Sequence, residues 1–421
     1  MSQTAPVVII GSGMAGYAAA KALRKEGYTQ KLSMISTDGG EMYAKPKLSN
    51  SLAMQKLPEQ LIDATRAEIS NDLDLDFYPY TLVEKIDIQA HKLYAVPAPQ
   101  NPPIAPDLVW RQHGIEGATI QHGQPIELDY SSLILATGSA PVRLPLELIA
   151  PSGSQAEICS INSLNDYIQF RNHLQKRKIS KALVIGPGLV GCEFANDLLT
   201  QNIQVDILGP DPWPMSLLIP ENPGNKLKQA LEKAGARWHL NTQLKAPIYY
   251  EDGLYRTVLP NGDRIETELI LSAAGIRPEV QLAKTSGLTV NAGICTDSYL
   301  RTSAPDIYAL GDCAEITGRV RLFVQPIRIA AAALAKTLTN NPSEAVFPPI
   351  SVGVKTSLHP VNMLLAEPGS ARKQDQWHCT LSEDGCWSRY YDSDGILKGF
   401  VLTGDQVAKR QEMTAQVTAT H

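Results

Sequence analysis

Two segments of this chain run from a wholly apolar stretch straight into a glycine-rich turn and then into a helix-forming run. They restrict the possible folds more than any other feature. The first is Val7-Val8-Ile9-Ile10, then Gly11-Ser12-Gly13-Met14-Ala15-Gly16, then Ala18 to Lys25, rich in Ala, Leu and Lys. The second runs from Ala182 to Ile185, turns through Gly186-Pro187-Gly188-Leu189-Val190-Gly191, and continues from Glu193 to Thr200. Further apolar runs, at about Lys31 to Ser36 and Ile203 to Leu208, complete strand–helix–strand units of about 30 residues. In such a unit the first glycine permits a tight turn, the second lets the backbone approach a pyrophosphate, and the third packs helix on strand. The helix amino terminus then offers free N–H groups and about half a positive charge. One G-x-G-x-x-G alone is a weak sign, but two in the same context point to two dinucleotides, FAD in one site and NAD(P) in the other.

With 421 residues, more than one domain is expected. Lys plus Arg total 38 against 43 Asp plus Glu, a net charge of −5, which argues against a nucleic-acid partner. The apolar runs are far shorter than the ~20 residues that span a bilayer. The amino terminus has no basic residue before its apolar run and turns glycine-rich at once, unlike a signal peptide, so no membrane insertion and a cytoplasmic location are expected. The six cysteines form no C-x-x-C or C-x4-C pair. Cys379 and Cys386 flank an Asp-Gly that suggests a hairpin bringing them close, as two reduced thiols in a cytosol or, less favoured, as a disulfide. The eight histidines form no ligand-spaced cluster and G-x-S-x-G is missing, so no metal site or serine-hydrolase elbow is expected. Proline crowds Val96 to Pro103 and marks an exposed loop. From about residue 350, short strand runs at Ile350 to Lys355, Trp387 to Asp392 and Leu397 to Leu402 predict a small antiparallel domain.

Three more segments extend the pattern. Leu133 to Pro141 and Leu271 to Pro278 are apolar strands ending in small-residue turns, and Asp306 to Glu315 ends a strand in Gly311-Asp312 before an expected helix. The whole set resembles the two-dinucleotide flavoprotein disulfide-reductase superfamily, within it the branch of NADH-dependent ferredoxin and rubredoxin reductases. The phrases Tyr43 to Ser49, Gly191 to Leu198 and Leu300 to Glu315 carry the likeness. It implies an α/β fold with two Rossmann-like dinucleotide-binding domains, for FAD and NAD, plus a small α+β C-terminal domain. The expected divisions are 1–147 with 265–325 for FAD, 148–264 for NAD, and 326–421 for the last domain.

By the same resemblance Gly11, Gly13 and Gly16 hold the FAD pyrophosphate, with Ser12 and Ala15 of the same turn also cofactor-binding, and Asp312 bonds the ribityl or phosphate region. Ala136, Thr137, Gly138, Gly275 and Gly311 line the cofactors, and Gly186, Gly188, Val190 and Gly191 hold NADH. Lys45, followed by Pro46, lies by flavin N5, and Glu193 lies near nicotinamide and flavin; these two are the expected catalytic residues. Gln325-Pro326 opens a helix aimed at the flavin pyrimidine.

The ribose acids usual after the second strand of each unit are missing, replaced by Ser36-Thr37 and Gly209-Pro210, with Asp38 and Asp211 as nearby substitutes. No Lys or Arg lies between Gly209 and Gly224 to meet a 2′-phosphate, which favours NADH. With no redox cysteine pair, electrons are expected to leave the flavin directly, and the resemblance implies a small acidic rubredoxin as their acceptor, in an electron transport chain for alkane metabolism. A ferredoxin or a flavorubredoxin is the alternative acceptor, and an NADH-sensing flavoprotein acting by partner binding ranks lower. Lys45, Lys47, Arg319, Arg321 and Arg328 are candidates for a basic docking rim on a monomer or weak homodimer. Cys192 and Cys313 read as packing residues.

Overall fold

The computed structural model of the chain describes residues 5–99, 125–154, 156–365 and 369–419. It divides into two compact units, each built from three separated stretches: 1–44, 59–140 and 277–348 in the first, and 45–58, 141–276 and 349–421 in the second. Among the described residues no helix is long and apolar enough to cross a membrane.

In the first unit Val7–Ile10 is buried along its whole length, as a strand covered on both faces must be. It is the middle strand of a parallel sheet ordered Ile307–Ala309, Ser132–Leu135, Val7–Ile10, Leu32–Ile35, Leu75–Tyr78. Helix Met14–Lys25 follows the glycine turn and buries Ala15, Tyr17, Ala19, Ala20 and Leu23. That face packs against helix Val324–Leu338, whose buried Ala330, Ala331, Ala333 and Ala335 keep the contact thin. The expected domain boundary at 326 therefore falls inside a helix of the first unit.

The helix expected directly after Gly311-Asp312 does not form. The chain enters strand Ala314–Ile316 instead, parallel to Ile294–Thr296 and antiparallel to Arg319–Val320. The buried Glu315 carboxylate accepts hydrogen bonds from the Gly293 amide and the Asn291 side chain at 3.0 Å each, an anchor that overrides the helix propensity of alanine. Val96 and Pro97 were expected in a loop but end strand Lys92–Pro97, which pairs with Thr81–Asp87 and Ile126–Asp129. Pro97 lies past Ala95, the last residue paired with Ile126, so its missing N–H breaks no bond on that side. The rest of the proline-rich insertion, from residue 100 to 124, lies outside the described residues.

The second unit repeats the first scheme with four parallel strands, Ala236–His239, Gln204–Leu208, Lys181–Ile185 and Leu269–Ser272. Its helix spans Leu189–Leu199, starting earlier than Glu193 because the turn itself supplies the first helical residues. The carboxy-terminal stretch forms an antiparallel sheet ordered Ile350–Val354, Val361–Leu365, Leu397–Thr403, Cys386–Tyr391, Trp377–Leu381. Two of these strands, Val361–Leu365 and Trp377–Leu381, add to the three expected. Helix Arg410–Ala419 covers the sheet with Met413 and Val417 over Leu397, Phe400 and Leu402.

Each glycine turn is fixed by close backbone approach. A Cβ on Gly11, whose φ is +111°, would lie 2.2 Å from the Ala136 carbonyl oxygen, and one on Gly16 would lie 1.9 Å from the Gly11 carbonyl oxygen. A Cβ on Gly13 meets nothing within 4 Å. Gly16→Ala should therefore lower the unfolding free energy by about 1–3 kcal/mol, while Gly13→Ala should change it by less than about 0.5 kcal/mol. Denaturant unfolding of the FAD-free chains checks this, and equal losses would contradict the packing argument.

Candidate functional site

In the first unit the turn brings the expected residues together. Gly11 lies against Ala136. Gly311, with φ of +83°, is so close to the helix's first turn that a Cβ on it would sit 2.5 Å from that of Ala15. Next to Gly311, the Asp312 carboxylate accepts from Ser139 Oγ at 2.9 Å, and Thr137 Oγ1 donates to the Glu279 carbonyl at 2.7 Å. No side chain caps helix Met14–Lys25 and no acid lies in its first turn, so its leading amides keep their positive end for a ligand. The open space at Gly13 is where a pyrophosphate can approach the backbone.

Asp38 closes the same site from the loop just past strand Leu32–Ile35. Its Oδ1 accepts from Ser12 Oγ at 2.7 Å, Ser36 Oγ at 2.6 Å and the Gly40 amide at 3.1 Å. A carboxylate thus stands beside the turn although the residue at the strand end is a serine. Glu41 and Arg66 complete this corner and were not singled out from sequence. Burial, with Asp38 nearby, pushes the Glu41 carboxyl up to about 7, and Arg66 donates to the Gly39 carbonyl at 3.3 Å. A small cavity lined by Gly311, Ala314, Arg321, Pro326 and Ile327 adjoins the start of helix Val324–Leu338. That helix contains Gln325 and Pro326 in its first turn, with no acid there and no side-chain cap.

The second unit holds a parallel arrangement. Gly186 has φ of +112° and lies against the Ala273 carbonyl, and a Cβ on Gly191 would meet the Gly186 carbonyl oxygen at 1.8 Å. Gly188 has open space and Val190 is exposed. Gly275, φ +101°, follows the strand that ends beside the turn. The missing ribose acid has a steric cause: a side chain on Gly209 would collide with the Pro187 ring at 2.2 Å. Asp211 is tied to Ser216 Oγ at 2.5 Å, and the Met215 amide donates to the Pro187 carbonyl at 2.8 Å, so this loop folds back on the turn. Asp206, buried on the strand, is matched by Arg237 at 2.5 Å and His239 at 2.7 Å.

Lys45 and Pro46 belong to this second unit, in a short 3-10 helix Lys45–Asn50 packed against helix Leu189–Leu199. Lys45 Nζ donates to Asn162 Oδ1 at 3.2 Å. Glu193 is buried in the middle of its helix, not in the first turn as the sequence suggests, and accepts from Ser49 Oγ at 2.5 Å and the Lys355 amide at 2.9 Å; Lys355 Nζ is 3.6 Å away. Two more buried polar side chains of the same helix bind distant segments. Asp197 accepts from the amides of Leu52 and Ala53, and Asn196 accepts from that of Leu358. Burial pushes the Asp197 carboxyl up to about 7 against the pull of those amides. No local sequence signal marks these contacts, since the partners lie more than 140 residues away.

The five rim cations are divided between the units: Arg319, Arg321 and Arg328 in the first, Lys45 and Lys47 in the second. Arg321 is held over the Phe347 ring, 4.1 Å from its centroid, and donates to the carbonyls of Ile316 and Arg319. Cys192 and Cys313 are fully buried, and all six cysteines are free thiols.

Residues 5–335 match the pyridine nucleotide-disulphide oxidoreductase family, and residues 344–417 match a rubredoxin binding C-terminal domain. The Rubredoxin-NAD(+) reductase of Acinetobacter baylyi is 36% identical over 407 residues, 96% of either chain. The Nitric oxide reductase FlRd-NAD(+) reductase of Salmonella arizonae is 31% identical over 95% of this chain and 96% of its own. A solved ferredoxin reductase from Rhodopseudomonas palustris shares the fold, with a TM-score of 0.80 at 23% identity over 97% of this chain and 94% of that one. Two glycine turns of the same build, in one chain with these full-length relatives, have one explanation: the chain belongs to the pyridine nucleotide-disulphide oxidoreductase family.

Proposed function

We propose that the chain is an FAD-dependent reductase that oxidises NADH and passes the electrons to rubredoxin. The observation that carries this reading is the match of residues 344–417 to a rubredoxin binding domain, directly after a two-dinucleotide oxidoreductase match. The higher identity to the relative named for rubredoxin, 36% against 31% for the one named for a flavorubredoxin, favours rubredoxin as the acceptor. Electron supply to an alkane hydroxylase in the cytoplasm is the setting this reading implies.

The family uses FAD and NAD(H). In this proposal the FAD domain is drawn from the segments of the first unit, residues 148–264 form the NADH domain, and the antiparallel sheet serves the acceptor. Gly11, Gly13 and Gly16 admit the FAD pyrophosphate, and Asp38 accepts the ribose hydroxyls in place of the missing strand-end acid. Gly186, Gly188 and Gly191 do the same for NADH, and the stretch from Gly209 to Gly224 offers no cation to a 2′-phosphate. Bound FAD supplies the chemistry: it takes a hydride and gives up electrons singly. Lys45 provides positive charge to the reduced ring. Glu193, held by Ser49 and the Lys355 amide, is set to orient the nicotinamide. The uncapped start of helix Val324–Leu338 favours negative charge nearby. No C-x-x-C stands between flavin and acceptor, so electrons pass directly.

Mixing the yellow protein anaerobically with NADH and oxidised rubredoxin should bleach the iron–thiolate band. Reduction of a ferredoxin with no bleaching of rubredoxin would overturn the choice of acceptor. Gly13→Ala should lose most of its FAD on gel filtration, whereas Gly188→Ala should stay yellow and show KM for NADH raised about tenfold, ~1.4 kcal/mol. The reverse pattern would exchange the two sites. If Lys45, Lys47, Arg319 and Arg328 steer an acidic partner, the rate at limiting rubredoxin should fall steeply from low to high salt, and a flat profile would remove that role.

A further inference from the structure

The hairpin of strands Trp377–Leu381 and Cys386–Tyr391 holds two thiols that the electron path does not use. Register pairs Cys379 with Ser388 and Leu381 with Cys386, so the two cysteines lie diagonally across the ladder on one face. Their sulfurs are 2.7 Å apart, against about 2.0 Å in a formed disulfide. The turn between them is clamped: Ser382 Oγ donates to Asp405 at 2.8 Å, Lys226 Nζ donates to the carbonyls of Ser382 and Glu383 at 2.8 and 2.9 Å, and Gly385 lies against the Thr403 carbonyl.

The two thiols are not equivalent. Cys379 is half-buried on the edge strand, within reach of a small solute, while Cys386 is fully buried beside it. The hydrogen bond with Cys386, supported by Ser388, Asn222 and the Lys226 charge, holds the Cys379 thiol below its usual range, at about 6. The same contact with Cys379, together with burial, pushes the Cys386 thiol up. One thiol is thus set to react first and the other to resolve.

We propose that Cys379 and Cys386 form a thiol modification site, oxidised by a hydroperoxide to an intramolecular disulfide and restored by a small thiol reductant. In the first step the Cys379 thiolate attacks one peroxide oxygen. An S–O bond forms, the O–O bond breaks, and hydroxide leaves, giving a sulfenic acid with the sulfur oxidised by two electrons. In the second, the Cys386 sulfur attacks Cys379, the S–S bond forms, the S–O bond breaks, and a second hydroxide leaves. The two thiol protons convert both hydroxides to water, so one hydrogen peroxide is consumed per disulfide. The step belongs to these residues alone and is independent of which iron protein accepts electrons.

The test uses the intact FAD-loaded protein, reduced with dithiothreitol, freed of it, and treated with hydrogen peroxide before alkylation with N-ethylmaleimide and tryptic digestion. Lys373 and Arg389 bound a single peptide, 374–389, that contains both cysteines. It should lose both alkylation sites and weigh two hydrogens less than the reduced peptide, while Cys159 and Cys295 remain alkylated; dithiothreitol should restore both sites. In Cys386→Ser, dimedone should label Cys379, and in Cys379→Ser it should leave Cys386 unlabelled. If both cysteines stay alkylatable in wild type, or Cys379 is overoxidised while Cys386 stays alkylatable, the proposal fails.

Discussion

Very close backbone approaches mark the two glycine-rich turns, and the rest of the architecture depends on them. At Gly16 and Gly191 a β-carbon would lie 1.9 and 1.8 Å from a carbonyl oxygen of the same turn. Only glycine lets the helix start so near the strand it follows, and only that nearness aims the uncapped amides at the space beside Gly13 and Gly188. The carbonyls of Ala136 and Ala273 close the other side of each turn, which ties the later strands of both sheets to the same constraint. Dinucleotide binding is thus a consequence of packing that must exist before any ligand arrives.

Helix Leu189–Leu199 shows a second principle. Glu193, Asn196 and Asp197 are buried polar groups, costly unless satisfied, and each is satisfied by amides from segments far off in sequence. The helix so fixes residues 45–58 and the start of the antiparallel sheet within its unit. The site's proposed acid, Glu193, and the segment carrying Lys45 are held by one element, joined through Ser49.

How much of this is legible in the sequence varies with the range of the interaction. The strands and turns of both parallel sheets can be read directly, because an unbroken apolar run followed by spaced glycines has few other uses. The substitution of Asp38 for a strand-end acid is half legible: the residue is in view, but its bonds to Ser12 and Ser36 depend on the turn's geometry. The strand Ala314–Ile316 misleads, since its alanine suggests a helix and the deciding contact comes from Gly293 and Asn291. The absence of an acid at Gly209 is plain in the sequence, while its cause, the Pro187 ring, is not. The hairpin joining Cys379 and Cys386 is announced by Asp384-Gly385, but the unequal burial of the two thiols is not.

The central claim is that electrons pass from NADH through FAD to a one-electron iron protein with no cysteine in the path. An anaerobic stopped-flow titration of rubredoxin with NADH, run on the wild type and on a variant with all six cysteines replaced, tests it most directly. The account predicts two rubredoxins bleached for each NADH consumed in both proteins, with rates within about twofold of each other. A variant that still takes hydride from NADH but reduces rubredoxin more than tenfold more slowly would contradict it.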